Sequence, residues 1–149
     1  MGHGAAVHAA DPRQGDGLNL LMTDITVPGI LLLLALLQVK HAICDGPLQT
    51  LRMVKEKGYY GRRGGLEHAT IHGAGSLIVL LLFGIAFLPA LLLALAETIV
   101  HYHIDFVKES FVRHKGWTQE DPQFWWALMA DQMFHHFTYL AMAYAIAVM

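Results

Sequence analysis

The chain has 149 residues, 55% of them apolar and 15% charged, with a formal net charge of −2. Soluble domains carry about 25% charged residues, so this composition speaks against a water-soluble globule. The single cysteine, Cys44, excludes an intrachain disulfide framework and a cysteine-rich zinc module, and the near-neutral charge balance speaks against a dedicated nucleic-acid binder.

Residues 1–17 are rich in Gly, Ala and turn formers, without periodicity, and read as a flexible tail. They have neither the basic start nor the apolar stretch of a cleaved signal peptide; 18–43 would serve as an uncleaved signal anchor. The first membrane span is expected at 27–43, with Pro28 tolerable in the first helical turn and Lys40 snorkelling at the far end. From Ala69 to Val107 the chain is apolar apart from Glu97, His72, His101, His103 and Asp105. As one helix this stretch would extend about 58 Å, roughly twice the 30 Å hydrocarbon core. It therefore reads as two antiparallel spans, 66–83 and 90–107, broken by Gly84 and Pro89. The last span, 124–149, is entered through the aromatic cluster Phe124, Trp125 and Trp126. The expected fold is all-α: a single membrane-embedded four-helix bundle over 18–149.

Basic residues concentrate in the first connection (Lys40, Arg52, Lys55, Lys57, Arg62, Arg63) and the third (Lys108, Arg113, Lys115). By the positive-inside rule both connections face the cytoplasm, with both termini on the other side of a bacterial inner membrane.

Each expected span carries two ligand-type residues four apart: His41 and Asp45, His68 and His72, His101 and Asp105, Asp131 and His135. That spacing puts both side chains of a pair on one helix face. Each pair also lies toward the charged-loop end of its span, so all of them can meet in one layer. Ionisable groups at membrane depth are costly unless they pair, line a wet cavity or bind metal. One pair alone reads as interhelical glue; four at one depth point to a metal or proton-active centre. Imidazole and carboxylate without thiolate suit zinc foremost, with manganese or iron as alternatives. The number of ligands leaves open one ion with surrounding carboxylates or two ions. Gln49, one turn beyond Asp45, and Glu97, one turn before His101, extend the polar stripes as residues that orient ligands. His103 and His136 point elsewhere on their helices, His114 lies in a solvated loop, and His3 and His8 belong to the tail.

The chain resembles a family of small bacterial and phage integral membrane proteins known as domain of unknown function 3307. The resemblance rests on HAICDGPLQ followed by Lys57 and Gly58, then HATIH, HYHIDFVK and DQMFHH. It marks His41, Asp45, Gln49, Lys57, His68, His72, His101, Asp105, Lys108, Asp131, Gln132 and His135. Gly46 departs from the pattern, which has an aromatic after the aspartate, and the tail lies outside it. The resemblance implies a membrane protein and no established activity.

Two functions follow. The first is a membrane-embedded metal hydrolase acting on a lipid-like substrate, with Asp45, Asp105 or Asp131 as general base. Lys57 and Lys108 would neutralise an anionic substrate. The second is a non-enzymatic transport, sensing or structural subunit whose His/Asp layer binds protons or metal, or only packs helices. The expected partners are membrane lipids and a second copy of the chain.

Overall fold

The computed structural model describes residues 26–149, so the expected tail lies outside it. The described residues form five helices: α1 (Val27–Asp45), α2 (Leu51–Glu56), α3 (Arg63–Leu82), α4 (Phe87–Lys115) and α5 (Pro122–Ala147). No strand is present among them.

Local chemistry sets the helix ends. Thr26 caps α1 by accepting from the Gly29 amide at 3.2 Å, and Pro28 sits in the first turn, where its missing N–H is no loss. Pro122 opens α5 in the same way. Between α3 and α4 the chain reverses at Gly84, whose φ of 89° suits a residue without Cβ. The break thus falls where the Gly84 and Pro89 pattern places it. The charged ends of the helices run further than the apolar stretches, with α3 starting at Arg63 and α4 continuing to Lys115. Hydropathy marks where apolar surface ends, whereas Lys, Arg and Glu are themselves good helix formers. The short α2, which apolar patterning did not indicate, is nucleated by Thr50, whose hydroxyl accepts from the Met53 amide at 3.3 Å.

Helix α1 packs against α3 and α5, and α4 packs against the same two. At Gly73, α3 approaches α4 so closely that a Cβ would lie 1.8 Å from Thr98 Oγ1 and 3.0 Å from the Ala94 carbonyl oxygen. Toward the Gly84 turn the interior is apolar, built from Leu33, Leu37, Leu80, Ala90, Met142, Ala143 and Ile146. The outer faces are apolar too, with Leu31, Leu32, Ile78, Leu82, Leu92, Ile99 and Phe137 all exposed. A helix apolar on all sides is either buried in protein or set in lipid.

Helices α1, α3 and α4 are long and apolar enough to cross a membrane. Helix α5, at 26 residues, is long enough but is interrupted by Gln123, Asp131, Gln132, His135 and His136, and is not among the apolar candidates.

Candidate metal centre

The pairs four residues apart converge as helical geometry demands. His68, His72, His101, His135, His41, Asp105 and Asp131 are all buried, and Asp45 is partly so. Their imidazoles form a continuous cluster: ring centroids lie 4.7 Å apart for His68 and His72, 3.8 Å for His72 and His101, and 4.1 Å for His101 and His135. Carboxylates thread the cluster. Asp45 Oδ1 lies 3.2 Å from Nε2 of both His68 and His72. Asp105 Oδ2 lies 3.2 Å from His68 Nε2 and 3.5 Å from His101 Nε2.

Two sets of donor atoms are close enough to share an ion: Asp45, His68, His72 and His101, and then His101, Asp105 and His135. Donors bound at 2.0–2.2 Å to a tetrahedral ion stand roughly 3.3–3.6 Å apart, close to the separations seen here. Hydrogen bonding accounts for the contact of His72 Nε2 with Asp45 Oδ1 at 3.2 Å, but not for those of His68 and His101. His68 Nε2 and His101 Nε2 are buried beside carboxylate oxygens, yet neither has a hydrogen-bond partner. Buried polar atoms of native proteins are nearly always satisfied, and lone pairs converging on one point fit a cation. His101 belongs to both sets and its Nε2 can serve one ion, so a second ion needs a further donor beside Asp105 and His135.

His41 and Asp131 stand at the edge of this cluster, outside both sets. The ammonium of Lys40 can only donate, so at 3.0 Å it makes the Tyr139 oxygen an acceptor. The Tyr139 hydroxyl is then free to donate to His41 Nδ1 at 2.8 Å. His41 Nε2 faces only acceptors, Asp45 Oδ2 at 3.1 Å and Gln132 Oε1 at 3.1 Å, and so carries the proton. His41 thus orients Asp45, as outer partners of metal ligands do. Gln132 also donates to Asp45 Oδ2 at 3.4 Å and Asp131 Oδ2 at 3.3 Å, which fixes its amide orientation. Asp131 Oδ1 lies 3.7 Å from His135 Nε2 and has no hydrogen-bond partner.

Glu97, expected beside the ligands, instead lies one layer deeper, 2.7 Å from Lys40. Lys40 does not snorkel: it is buried, and its three N–H groups meet Glu97, Tyr139 and the His72 carbonyl oxygen. A snorkelling lysine needs a route to water, and here Gly75 leaves room for its stem to turn inward, a Cβ there falling 2.8 Å from Lys40 Cγ. Gln49 donates to the Asp45 backbone oxygen at 2.6 Å rather than to its carboxylate. Lys40 and Tyr139 were therefore missed as site residues. The Tyr139 signal was present, since it continues the Asp131 and His135 stripe by another four residues.

The loop after α2 roofs the cluster. The Gly58 carbonyl accepts from Ser110 at 3.0 Å and from Arg113, and the Gly61 amide donates to the Tyr102 hydroxyl at 2.6 Å. So held, buried Lys57 reaches Asp105 at 3.4 Å. Burial pulls the Lys57 pKa down, but Asp105, followed by Asp45, Glu109 and Asp131, outweighs it and raises the pKa. Lys108 pairs with Glu109 at 2.6 Å instead of with the cluster. Exposed His103 contacts Tyr60 at 3.4 Å, and His114 and His136 are also exposed.

No curated protein and no solved structure matches the chain. A family model does, over residues 32–149, which includes every residue of the cluster. The chain belongs to the family described as Protein of unknown function (DUF3307).

Proposed function

We propose that this is a four-span protein of the bacterial inner membrane that holds one or two divalent ions, zinc foremost, in its His/Asp cluster. We further propose that it acts there as a metal-dependent hydrolase on a lipid-like substrate. The observation that carries the reading is His68 Nε2, buried without a hydrogen bond and 3.2 Å from a carboxylate oxygen on either side. Asp45, His68, His72 and His101 would hold a divalent ion, which would supply Lewis acidity and bring the pKa of water toward neutrality. The chain's own groups complete the chemistry. Asp131, with Oδ1 unpartnered, is placed to take a proton. Lys57, 3.4 Å from Asp105, puts positive charge at the loop end, where an anionic substrate group would arrive.

Placement at the cytoplasmic end is supported by the contact of the two basic connections, where Arg113 lies over the Tyr59 ring at 3.9 Å. Helix α5 crosses as the fourth span because its polar residues Asp131, Gln132 and His135 face the cluster and its neighbours, leaving Phe134, Phe137 and Leu140 outward.

The transport reading has one observation in its favour: Lys40, Glu97 and Tyr139 extend the polar network beyond the cluster. The extension then meets the apolar layer of Leu33, Leu37, Leu80 and Ile146, which offers no group to pass an ion. Catalysis at a site that ends against this apolar layer is the better reading.

Elemental mass spectrometry of tag-free protein in detergent tests the metal centre. One or two ions per chain, lost in His72→Ala and His101→Ala, are expected, followed by a screen on lipid phosphoesters and amides. Wild-type protein that stays metal-free after reconstitution with Zn, Mn and Fe(II) would overturn the proposal.

A further inference from the structure

Below the His/Asp cluster α3 and α4 run so close together that a Cβ at Gly73 would lie 1.8 Å from Thr98 Oγ1. On the facing stripes His72 stands beside His101, with ring centroids 3.8 Å apart. One turn nearer the Gly84 reversal, α3 carries Ser76 and α4 carries Glu97. All four side chains are buried, at 1% exposure or less. Each also has a polar atom without a hydrogen-bond partner: His72 Nδ1, His101 Nδ1, Ser76 Oγ and Glu97 Oε2.

The polar side chains around them are already engaged. Lys40 gives its three N–H groups to Glu97 Oε1, the Tyr139 oxygen and the His72 carbonyl oxygen. Thr98 donates to the Ala94 carbonyl oxygen at 2.8 Å, and the Tyr139 hydroxyl donates to His41. Buried polar groups of native proteins are nearly always satisfied, and where protein atoms do not suffice an ordered water with two to four polar partners does so.

Chemistry selects the occupant. An imidazole that binds an ion through Nε2 carries its proton on Nδ1, so His72 and His101 would present two N–H donors here. Those donors and the Lys40 ammonium repel a cation, and the Glu97 carboxylate repels an anion. A small neutral molecule that both accepts and donates remains.

We infer that one buried water molecule accepts from His72 Nδ1 and His101 Nδ1 and donates to Glu97 Oε2 and Ser76 Oγ. Through it Glu97 and Ser76 act as positioning residues, holding two imidazoles with Nε2 turned to the ion. In metal-free protein, where His72 Nε2 donates to Asp45 Oδ1 at 3.2 Å, the same water turns to donate to His72 Nδ1, and the Ser76 hydroxyl donates to the water. The inference deepens the metal reading by naming what orients two ligands at once. Its effect on metal affinity rests on that reading, whereas the presence of the water does not.

Zinc affinity, measured by competition with a fluorescent chelator in detergent, tests the positioning role. Ser76→Ala removes only a hydroxyl and is expected to weaken zinc about tenfold. A hydroxyl that merely packs would leave zinc binding unchanged, so affinity rather than Tm is the readout. Lys40→Met with Glu97→Leu, which leaves no unpaired charge, should weaken zinc about 10–100-fold. Adding Ser76→Ala to that pair should then cost little more, because both residues act through one water. Unchanged affinity in Ser76→Ala, or losses that simply add, would overturn the inference. The water is read directly by NMR of metal-free protein labelled at histidine, where a cross-peak between a long-lived water and the His72 and His101 ring protons is expected. Its absence from the wild type would overturn the inference whatever zinc does. A cross-peak in wild-type protein that takes up no zinc would instead establish the water and overturn the metal centre together with the positioning role, so the two failures are different results.

Discussion

The Tyr139 hydroxyl lies 2.8 Å from His41 Nδ1 and so decides which nitrogen of that imidazole carries the proton. With Lys40 donating to the same oxygen, the Tyr139 O–H donates a hydrogen bond to Nδ1, and His41 donates through Nε2 to Asp45. An imidazole so engaged orients a ligand without being one. Tyr139→Phe should therefore retain metal but bind it about 10–100-fold more weakly, as loss of an outer partner does. His101→Ala should abolish binding. Competition with a fluorescent zinc chelator measures both, and unchanged affinity in Tyr139→Phe would exclude the orienting role.

The ion pair of Lys40 and Glu97 is buried, with exposures of 6% and 1%. Removing one partner leaves the other buried and uncompensated. Lys40→Met is expected to destabilise by about 3–5 kcal/mol, while replacement of both partners with apolar residues restores most of the loss. Thermal unfolding in detergent compares the two. A double variant as unstable as the single one would mean that the pair matters through Tyr139 and His72 rather than through charge.

Lys57 sits 3.4 Å from Asp105 and opposes any cation that approaches that carboxylate. Lys57→Gln removes the repulsion, so zinc affinity should rise several-fold in the same chelator assay. A fall would show that the ammonium acts mainly to hold Asp105 in its binding orientation.

Two glycines on α3 give stability predictions of different size. A Cβ at Gly73 meets Thr98 and the Ala94 backbone, whereas at Gly75 it meets the side chains of Lys40 and Cys44 and no backbone. Gly73→Ala should cost about 1–3 kcal/mol by forcing α3 and α4 apart, and Gly75→Ala less. Their order in thermal unfolding is the test.

Bound metal should stabilise the fold by mass action, by about 2.7 kcal/mol at a hundredfold excess over its Kd. Adding a chelator should therefore lower the Tm of the wild-type protein and leave that of His72→Ala unchanged. Equal responses would indicate that the chelator acts elsewhere.

The element types, the Gly84 reversal and the residues of the cluster were readable from the chain because they rest on local rules. A spacing of four fixes a helix face, and the break in an apolar run fixes a turn. The roles within the cluster were not readable in this way. Whether His41 binds an ion or orients Asp45 depends on Tyr139, which is 98 residues away. Lys40 has the same composition signature whether it snorkels or turns inward, and only the space left by Gly75 and the acceptors on α3, α4 and α5 select the buried state. Sequence periodicity therefore determined which side chains share a face and a depth. Tertiary structure alone decided which atoms converge, because hydrogen-bond direction and steric space arise between helices and are encoded in none of them singly.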